Sequence, residues 1–468
     1  MVRLSNMDRR NVSKKYSADV IVVGSGAGGS VAALTLADAG KRVIIVEKEA
    51  VGGDCANYSC IPTKALLETA ALQKMISQAP AHGIKIGNVK LSYEAAIHSV
   101  NQSIHSTGVL HPGHSPYDNA NIQLVRGQAH CLDKHTISVD LTRYTAANII
   151  IASGSTPFVP KIPGLQEIDY ITYRTFAKQK TLPPSVAIIG GGTTAYEYAQ
   201  IYAAFGVKTH VFESHYHLFS SFDSEVGDLA ESALTNTGVR IHTAANITKV
   251  HTTKNGNLIT FSQAGQEHHV SVDSIFVAAG NIPNTDIGLE NAGVLNSEEG
   301  IRVNKRLQTS QKNIFAIGDV TGNSHSASSA VHQGLVTAHN ILHRKKIMFQ
   351  DHAVPRVAYG MPEIVVVGKT ERQLKLTGLP YQTSIAPLGI VGKAHTSAYT
   401  SGFVKIVASY TGHVVGVSIV APQASEFASE LTFAIQHCHR ACDIANTIHP
   451  FSSWSEAVRV AASKIYCT

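Results

Sequence analysis

The run Asp19-Val20-Ile21-Val22-Val23-Gly24-Ser25-Gly26-Ala27-Gly28-Gly29 sets the architecture of the chain. Four consecutive β-branched residues read as a parallel strand buried on both faces. The strand leads directly into glycines at 24, 26 and 29, a G-x-G-x-x-G, and then into an alanine-rich helical run. In such a turn the first glycine permits the bend, the second lets a pyrophosphate approach the backbone, and the third lets helix and strand pack closely. A second strand, Arg42-Val43-Ile44-Ile45-Val46, ends in Glu47. A carboxylate there can accept hydrogen bonds from both hydroxyls of an adenosine ribose.

The pattern recurs. Ser185-Val186-Ala187-Ile188-Ile189 leads into Gly190-Gly191-Gly192-Thr193-Thr194-Ala195, a helical run, and then Thr209-His210-Val211-Phe212-Glu213. The interval from first glycine to terminal acid is the same in both units, Gly24 to Glu47 and Gly190 to Glu213. Two nucleotide folds in one chain imply two different dinucleotides. Two further strands, Asn148-Ile149-Ile150-Ile151-Ala152 and Ser274-Ile275-Phe276-Val277-Ala278-Ala279, end in loops. The first is followed by Pro157, Pro160 and Pro163, read as a domain crossover, and the second by Gly280. Asn313-Ile314-Phe315-Ala316-Ile317-Gly318 then places Asp319 at a strand end.

After Glu47 comes Gly53-Asp54-Cys55-Ala56-Asn57-Tyr58-Ser59-Cys60-Ile61-Pro62-Thr63-Lys64, followed by a helix-forming run through Ala65, Leu66, Leu67 and Ala70. Cys60 is expected to open that helix, where the macrodipole and unpaired N–H groups favour a thiolate. A thiolate is the nucleophile of disulfide exchange and can donate electrons to a flavin. Taken alone, the pair is equally compatible with two buried free cysteines, because Cys packs as a small hydrophobe.

Composition narrows the alternatives. At 468 residues the chain is too long for one core. Hydrophobic residues at 44% and charged residues at 15% describe a globular protein rather than a disordered one. The net charge of +6 is spread without a Lys/Arg block, which argues against nucleic-acid binding. No apolar run is long enough to span a bilayer. Six cysteines in so long a chain do not make a disulfide framework, so a cytoplasmic location is expected. Residues 1–17, with Arg3, Arg9, Arg10, Lys14 and Lys15, read as a loose basic arm without an apolar signal core, and an organelle-targeting role stays open.

On these motifs, from Asp19 to Ala462, the chain resembles the flavoprotein disulfide reductases, the family of dihydrolipoamide dehydrogenase, glutathione reductase and mercuric reductase. The family's cysteine segment reads G-G-T-C-x-N-x-G-C-I-P-S-K, close to Gly52 through Lys64. Asp54 replaces its Thr and Ser59 its Gly, and Ser59 is expected to strain the backbone if that glycine has positive φ. The resemblance implies an α/β fold with two Rossmann-like dinucleotide-binding domains plus a C-terminal α+β dimerisation domain. The expected domains are an FAD-binding domain in two pieces (1–156 and 280–348), an NAD(P)H-binding domain (157–279) and an interface domain (349–468). Gly24, Gly26, Gly29, Glu47, Gly53 and Asp319, with Gly190, Gly192, Ala195, Glu213 and Gly280, are the expected cofactor-binding residues.

The resemblance further implies that Lys64 and Glu197 pair beside flavin N5, that Asp319 holds the ribityl chain, and that Cys60 faces the flavin while Cys55 exchanges with substrate. The implied electron path runs from NADH through flavin to a Cys55–Cys60 disulfide. NADH is expected over NADPH because Glu213 lies where a 2′-phosphate would sit, and its neighbours Ser214, His215 and His217 include no Arg.

The C-terminal part bears on the oxidised substrate. Tyr359-Gly360-Met361-Pro362-Glu363 and Gly402-Phe403-Val404-Lys405 match the family's interface domain in outline. Dihydrolipoamide dehydrogenases and glutathione reductases end in a His-Pro-Thr-x-Ser-Glu, whose His is the acid–base serving the exchange thiol across the homodimer and whose Glu orients it. An ungapped alignment puts Glu456 on the Glu, Phe451 on the base and His449 two positions earlier. A two-residue insertion instead makes His449 the base. Mercuric reductases carry Tyr where Phe451 falls, and a C-terminal cysteine pair. This sequence has Tyr466-Cys467-Thr468, with Cys467 read as a bystander thiol. Cys438 and Cys442, four apart, read as buried cysteines on one face of an interface helix, and no metal site is assigned.

The expected function is an FAD-dependent NADH oxidoreductase acting on a small-molecule disulfide or other oxidant. The alternatives are a metal-ion reductase resembling the mercuric enzymes, a quinone reductase, or a non-redox binding protein on the same scaffold. Joint retention of Cys55, Cys60, Lys64 and Glu197 favours redox chemistry.

Overall fold

The computed structural model describes residues 16–107, 117–254, 256–322 and 326–468, so the basic positions Arg3 to Lys15 lie outside the described residues. The chain forms two compact units. One comprises Met1–Gly53, Val109–Ser155 and Pro283–Phe349, and the other Asp54–Gly108, Thr156–Ile282 and Gln350–Thr468.

In the first unit Ala18–Val23 is a central strand. Val43–Glu47 pairs parallel on one side and Thr142–Ile151 on the other, with Val20 opposite both Val43 and Asn148. Ile122–Arg126 and Ile314–Ala316 extend the parallel sheet, and two antiparallel strands complete its seven. Val20, Ile21 and Val22 are fully buried, which explains a run without polar alternation. The helices Ala27–Asp38 and Ala327–Leu342 pack against each other in this unit.

The second unit holds the repeat. Ser185–Ile189 pairs parallel with Lys208–Phe212 and Ser274–Val277 in a five-stranded sheet. A three-stranded antiparallel sheet follows, from Asn246–Thr253 through Gln266–Val272. The C-terminal part is a five-stranded antiparallel sheet bearing the helices Ala424–Gln436 and Glu456–Ala462. This is the expected α/β class, with two dinucleotide-type sheets and an α+β C-terminal layer. The segment 54–108, expected within the first domain, groups with the second unit. Its Leu66, Leu67, Ala96 and Val100 share a core with Phe176, Tyr198 and Tyr202.

One expectation fails in the C-terminal layer. Cys438 and Cys442 do not share a helix face. The helix Ala424–Gln436 stops before Cys438, which sits at φ +55°, and Cys442 belongs to the next helix, Ala441–Ala445. The left-handed residue Cys438 breaks the helical run between the two. Among the described residues, no helix is long and apolar enough to cross a membrane.

Candidate active site

The first unit has a glycine turn between its central strand and the helix Ala27–Asp38. Gly24 adopts φ +101°, and a Cβ there would collide with the Ala152 carbonyl oxygen, so only glycine makes this turn. At Gly26 no atom lies within 4 Å of a built Cβ, which leaves open space at the start of the helix Ala27–Asp38. Gly53 closes on the turn so tightly that its Cβ would stand 2.7 Å from the Gly26 Cα. Glu47 is buried at the strand end, where its Oε2 accepts from the Ser25 N–H at 2.9 Å and hydroxyl at 2.7 Å. Asp319 accepts from the Ser155 hydroxyl at 2.7 Å. Open space at a helix start, with a buried acid at the adjoining strand end, fits an adenine dinucleotide.

The second unit repeats the device. Gly190 at φ +122° would drive a Cβ into the Ala278 carbonyl oxygen, Gly192 faces open space, and Ala195 is buried in the helix Thr193–Ala204. Glu213 folds back over the turn, its Oε2 only 2.5 Å from where a Cβ on Gly191 would stand. Its Oε1 accepts from the His215 N–H at 2.8 Å and meets the His215 ring Nδ1 at 2.7 Å. Gly280, at φ +110°, accepts the Phe158 N–H at 2.8 Å.

The cysteine pair lies in the second unit. The helix Gly53–Asn57 carries Cys55, and Cys60 opens the helix Cys60–Gln78. Both thiols are free and partly buried. The Cys55 thiol donates to Cys60, and this bond, then burial, then the Cys60 charge, hold the Cys55 pKa well above the usual thiol range. The same bond pulls Cys60 down to about 7, against its own burial, with help from the Ser59 hydroxyl and the Lys64 charge. When the pair ionises, the charge therefore falls on Cys60 and Cys55 keeps its hydrogen.

Ser59 corrects a second expectation. Its φ is −114°, outside the left-handed region, so it does not strain the backbone. Its Oγ lies 3.8 Å from the Cys60 sulfur, where glycine would offer nothing.

Lys64 stands one helical turn beyond Cys60, its Nζ 2.8 Å from Glu197 Oε2 and 3.0 Å from Oε1. Glu197 is buried on the helix Thr193–Ala204. Two further contacts, missed by sequence reasoning, hold this ion pair. The Tyr359 N–H donates to Glu197 Oε1 at 2.9 Å, and the Tyr359 ring lies 4.7 Å from Lys64 Nζ. Next to the pair, the Thr63 and Tyr198 hydroxyls meet at 3.1 Å. Asp54 accepts from the Tyr173 hydroxyl at 2.9 Å and pairs with Arg174 at 3.5 Å, tying the cysteine-bearing turn to the helix Tyr173–Phe176. The one available signal was adjacency, since Thr63 and Tyr198 immediately neighbour Lys64 and Glu197.

The C-terminal candidates have separate surroundings. Phe451 is 84% exposed. The His449 side chain is 4% exposed, its Nε2 3.2 Å from Glu430 Oε2 and its Nδ1 2.9 Å from the Thr447 carbonyl oxygen. Glu456 accepts from the Ser453 N–H at 3.4 Å. The carboxylate that orients His449 is therefore Glu430 rather than Glu456. Among the described residues no group of three or more His, Cys, Asp or Glu is arranged to hold a metal ion.

Comparison with known proteins matches residues 18–334 to the family described as pyridine nucleotide-disulphide oxidoreductase, and residues 354–462 to the dimerisation domain of the same name. The chain is 33% identical to a dihydrolipoyl dehydrogenase of Mycoplasma pneumoniae, covering 94% of this chain and 96% of that one. It is 30% identical to a mercuric reductase of Staphylococcus aureus, covering 95% and 82%. Among solved structures, it is similar to the Cu(II) complex of the HOCl-induced flavoprotein disulfide reductase RclA from Escherichia coli. That likeness has a TM-score of 0.84 and 25% identity, and covers 97% of this chain and 100% of that one.

Proposed function

The chain belongs to the pyridine nucleotide-disulphide oxidoreductases, and from that premise we propose that it uses NADH to reduce a small-molecule oxidant at the Cys55–Cys60 pair. The observation that carries this reading is the placement of Cys60 at the head of a helix, 3.8 Å from the Ser59 hydroxyl and one turn before the Lys64–Glu197 pair, with Cys55 as its neighbour, an arrangement that favours a thiolate on Cys60. We assign FAD to the cradle of Gly24, Gly26, Gly29, Glu47, Gly53 and Asp319, and NADH to that of Gly190, Gly192, Ala195, Glu213 and Gly280. FAD supplies the two-electron relay between a nicotinamide and a dithiol.

The chain's own residues do the rest. Lys64, anchored by Glu197 and the Tyr359 ring, keeps a positive charge near Cys60. With a disulfide as oxidant, Cys55 passes its proton to the neighbouring Cys60 thiolate and attacks one sulfur, one thiolate leaves, and a mixed disulfide forms on Cys55. Cys60 then attacks the Cys55 sulfur, expels the second thiolate and closes the Cys55–Cys60 bond. The one proton of the pair leaves Cys60 for one released thiolate, and the other thiolate takes its proton from solvent. Phe451 has no proton to exchange, so on the ungapped alignment these transfers fall to solvent.

That absence favours a second reading, in which the oxidant is a metal ion or quinone whose reduction needs no acid–base group at position 451. We further read the enzyme as a cytoplasmic homodimer, supported by the matched dimerisation domain and the exposed Ile448 and Phe451 within it. The test is NADH oxidation by the purified holoprotein with lipoamide, glutathione-type disulfides, quinones, Hg(II) and Cu(II) as acceptors. Turnover with none of them, in a protein whose Cys55→Ser variant behaves identically, would overturn the assignment.

A further inference from the structure

The C-terminal layer contains another pair of thiols in contact. Cys442 lies in the helix Ala441–Ala445, and Cys467 follows the last helix of the chain, Glu456–Ala462. The Cys467 sulfur accepts the Cys442 backbone N–H at 3.1 Å. The Cys442 thiol also donates to it, which with burial and the Cys467 charge raises the Cys442 pKa. The relationship is the one found at Cys55 and Cys60, where one thiol donates to its neighbour.

The tail is fixed in this position by other groups. The Gln382 side chain donates to the Tyr466 carbonyl oxygen at 2.8 Å and accepts the Tyr466 N–H at 2.9 Å. Arg440 donates to the Thr468 carbonyl oxygen at 2.8 Å. Gly412 leaves the room that the sulfur occupies, since a Cβ there would stand 2.9 Å from it. Neither other thiol outside the active site is built this way. Cys131 is fully buried, with its thiol pushed up to about 12 by burial, and Cys438 is exposed on its turn.

We propose that Cys442 and Cys467 form a second, reversible dithiol–disulfide couple, oxidised by small-molecule disulfides, that latches the C-terminal tail to the helix Ala441–Ala445. Cys467 is the attacking sulfur, because it is the acceptor of both the Cys442 N–H and the Cys442 thiol, whereas Cys442 is the donor. It attacks a disulfide RSSR, forming Cys467–S–S–R and releasing RS⁻. Cys442 then loses its proton, attacks the Cys467 sulfur and releases the second RS⁻. One RSSR and two protein thiols become one protein disulfide and two RSH. The hydrogen bonds already holding the tail give the second step a high effective concentration. The thiol of Cys442 thus acts as the resolving group.

The test is peptide mapping without reduction. The reduced full-length protein is equilibrated with excess oxidised glutathione, quenched with iodoacetamide and digested with trypsin, which separates Cys438, Cys442 and Cys467 into different peptides. The expected product joins the Cys442 peptide to the Cys467 peptide and disappears on reduction. Cys442→Ser should instead trap glutathione on Cys467, and Cys467→Ser should leave Cys442 as a free, alkylated thiol. The proposal is overturned if the wild type stops at a mixed disulfide on Cys467, if Cys438 replaces either partner, or if both sulfurs remain alkylated.

Discussion

The Ser59 hydroxyl lies 3.8 Å from the Cys60 sulfur and lowers its pKa. Removing the hydroxyl in Ser59→Gly withdraws one stabiliser of the thiolate. A weak hydrogen bond of about 0.5–1 kcal/mol corresponds to a rise of roughly half a pKa unit. The Cys60 thiolate forms as pH rises through about 7 in the wild type, so the variant's titration should move to higher pH. The pH dependence of iodoacetamide alkylation at Cys60 in the reduced protein measures it. An unchanged midpoint would show that Ser59 contributes nothing.

On the proposed assignment, Glu213 governs the choice of nicotinamide. Its carboxylate lies over Gly191 and is engaged by His215. A 2′-phosphate brought to it meets like charge. NADH should therefore have the higher kcat/KM, and Glu213→Gln should raise the NADPH-to-NADH ratio by about tenfold, or ~1.4 kcal/mol. Steady-state kinetics with both nucleotides settle it, and a wild-type preference for NADPH at neutral pH would refute the expectation.

Phe451 and His449 make opposite predictions. A positioned acid–base group contributes about a hundredfold to ten-thousandfold. Lipoamide turnover by the wild type should accordingly be poor, and Phe451→His should raise it if the ring is accommodated. His449→Ala should leave turnover nearly unchanged, since the His449 ring is buried against Glu430. Efficient wild-type turnover that collapses in His449→Ala would identify His449 as the base and restore the gapped alignment.

Lys405 is a structural charge. Its side chain is 1% exposed and its Nζ lies 2.7 Å from Glu371, 3.0 Å from Glu225 and 3.1 Å from Asp223. Against the burial that would raise it, Lys405 and Lys375 hold the Glu371 carboxyl down at about 2. A depressed carboxylate stabilises the fold above its unfolded pKa, and that contribution is lost as pH falls through the ordinary carboxylate range toward about 2. Lys405→Met leaves Asp223 buried without its cation and should cost about 3–5 kcal/mol. Urea unfolding of wild type and variant between neutral and acid pH reads both effects.

How much could be read in advance differs by element. Both nucleotide units were legible because glycine spacing, apolar strands and terminal acids are local patterns, and the sheets place Gly24, Glu47, Gly190 and Glu213 as those patterns demand. The Lys64–Glu197 pair was legible only through family resemblance, because its partners are far apart in sequence. The φ of Ser59, −114°, is not legible from its neighbours' identities, and it lies outside the left-handed region in which a serine would be strained. Cys438 and Cys442 were misplaced for a similar reason. Their four-residue spacing suits a helix, but the chain turns left-handed at Cys438. The partners of Asp54 and His449 are tertiary, and nothing local announces Tyr173 or Glu430.

The neighbouring bonds Thr63–Tyr198 and Lys64–Glu197 have a mechanical consequence. Each joins the helix Cys60–Gln78 to the helix Thr193–Ala204, and on each helix the two residues are consecutive. Consecutive residues on a helix point about 100° apart. A roll of either helix about its own axis that preserved one bond would swing the other out of reach. The two bonds therefore act as a keyed joint that fixes rotational phase as well as separation, and Cys60, one turn before Lys64 on the same helix, inherits that orientation.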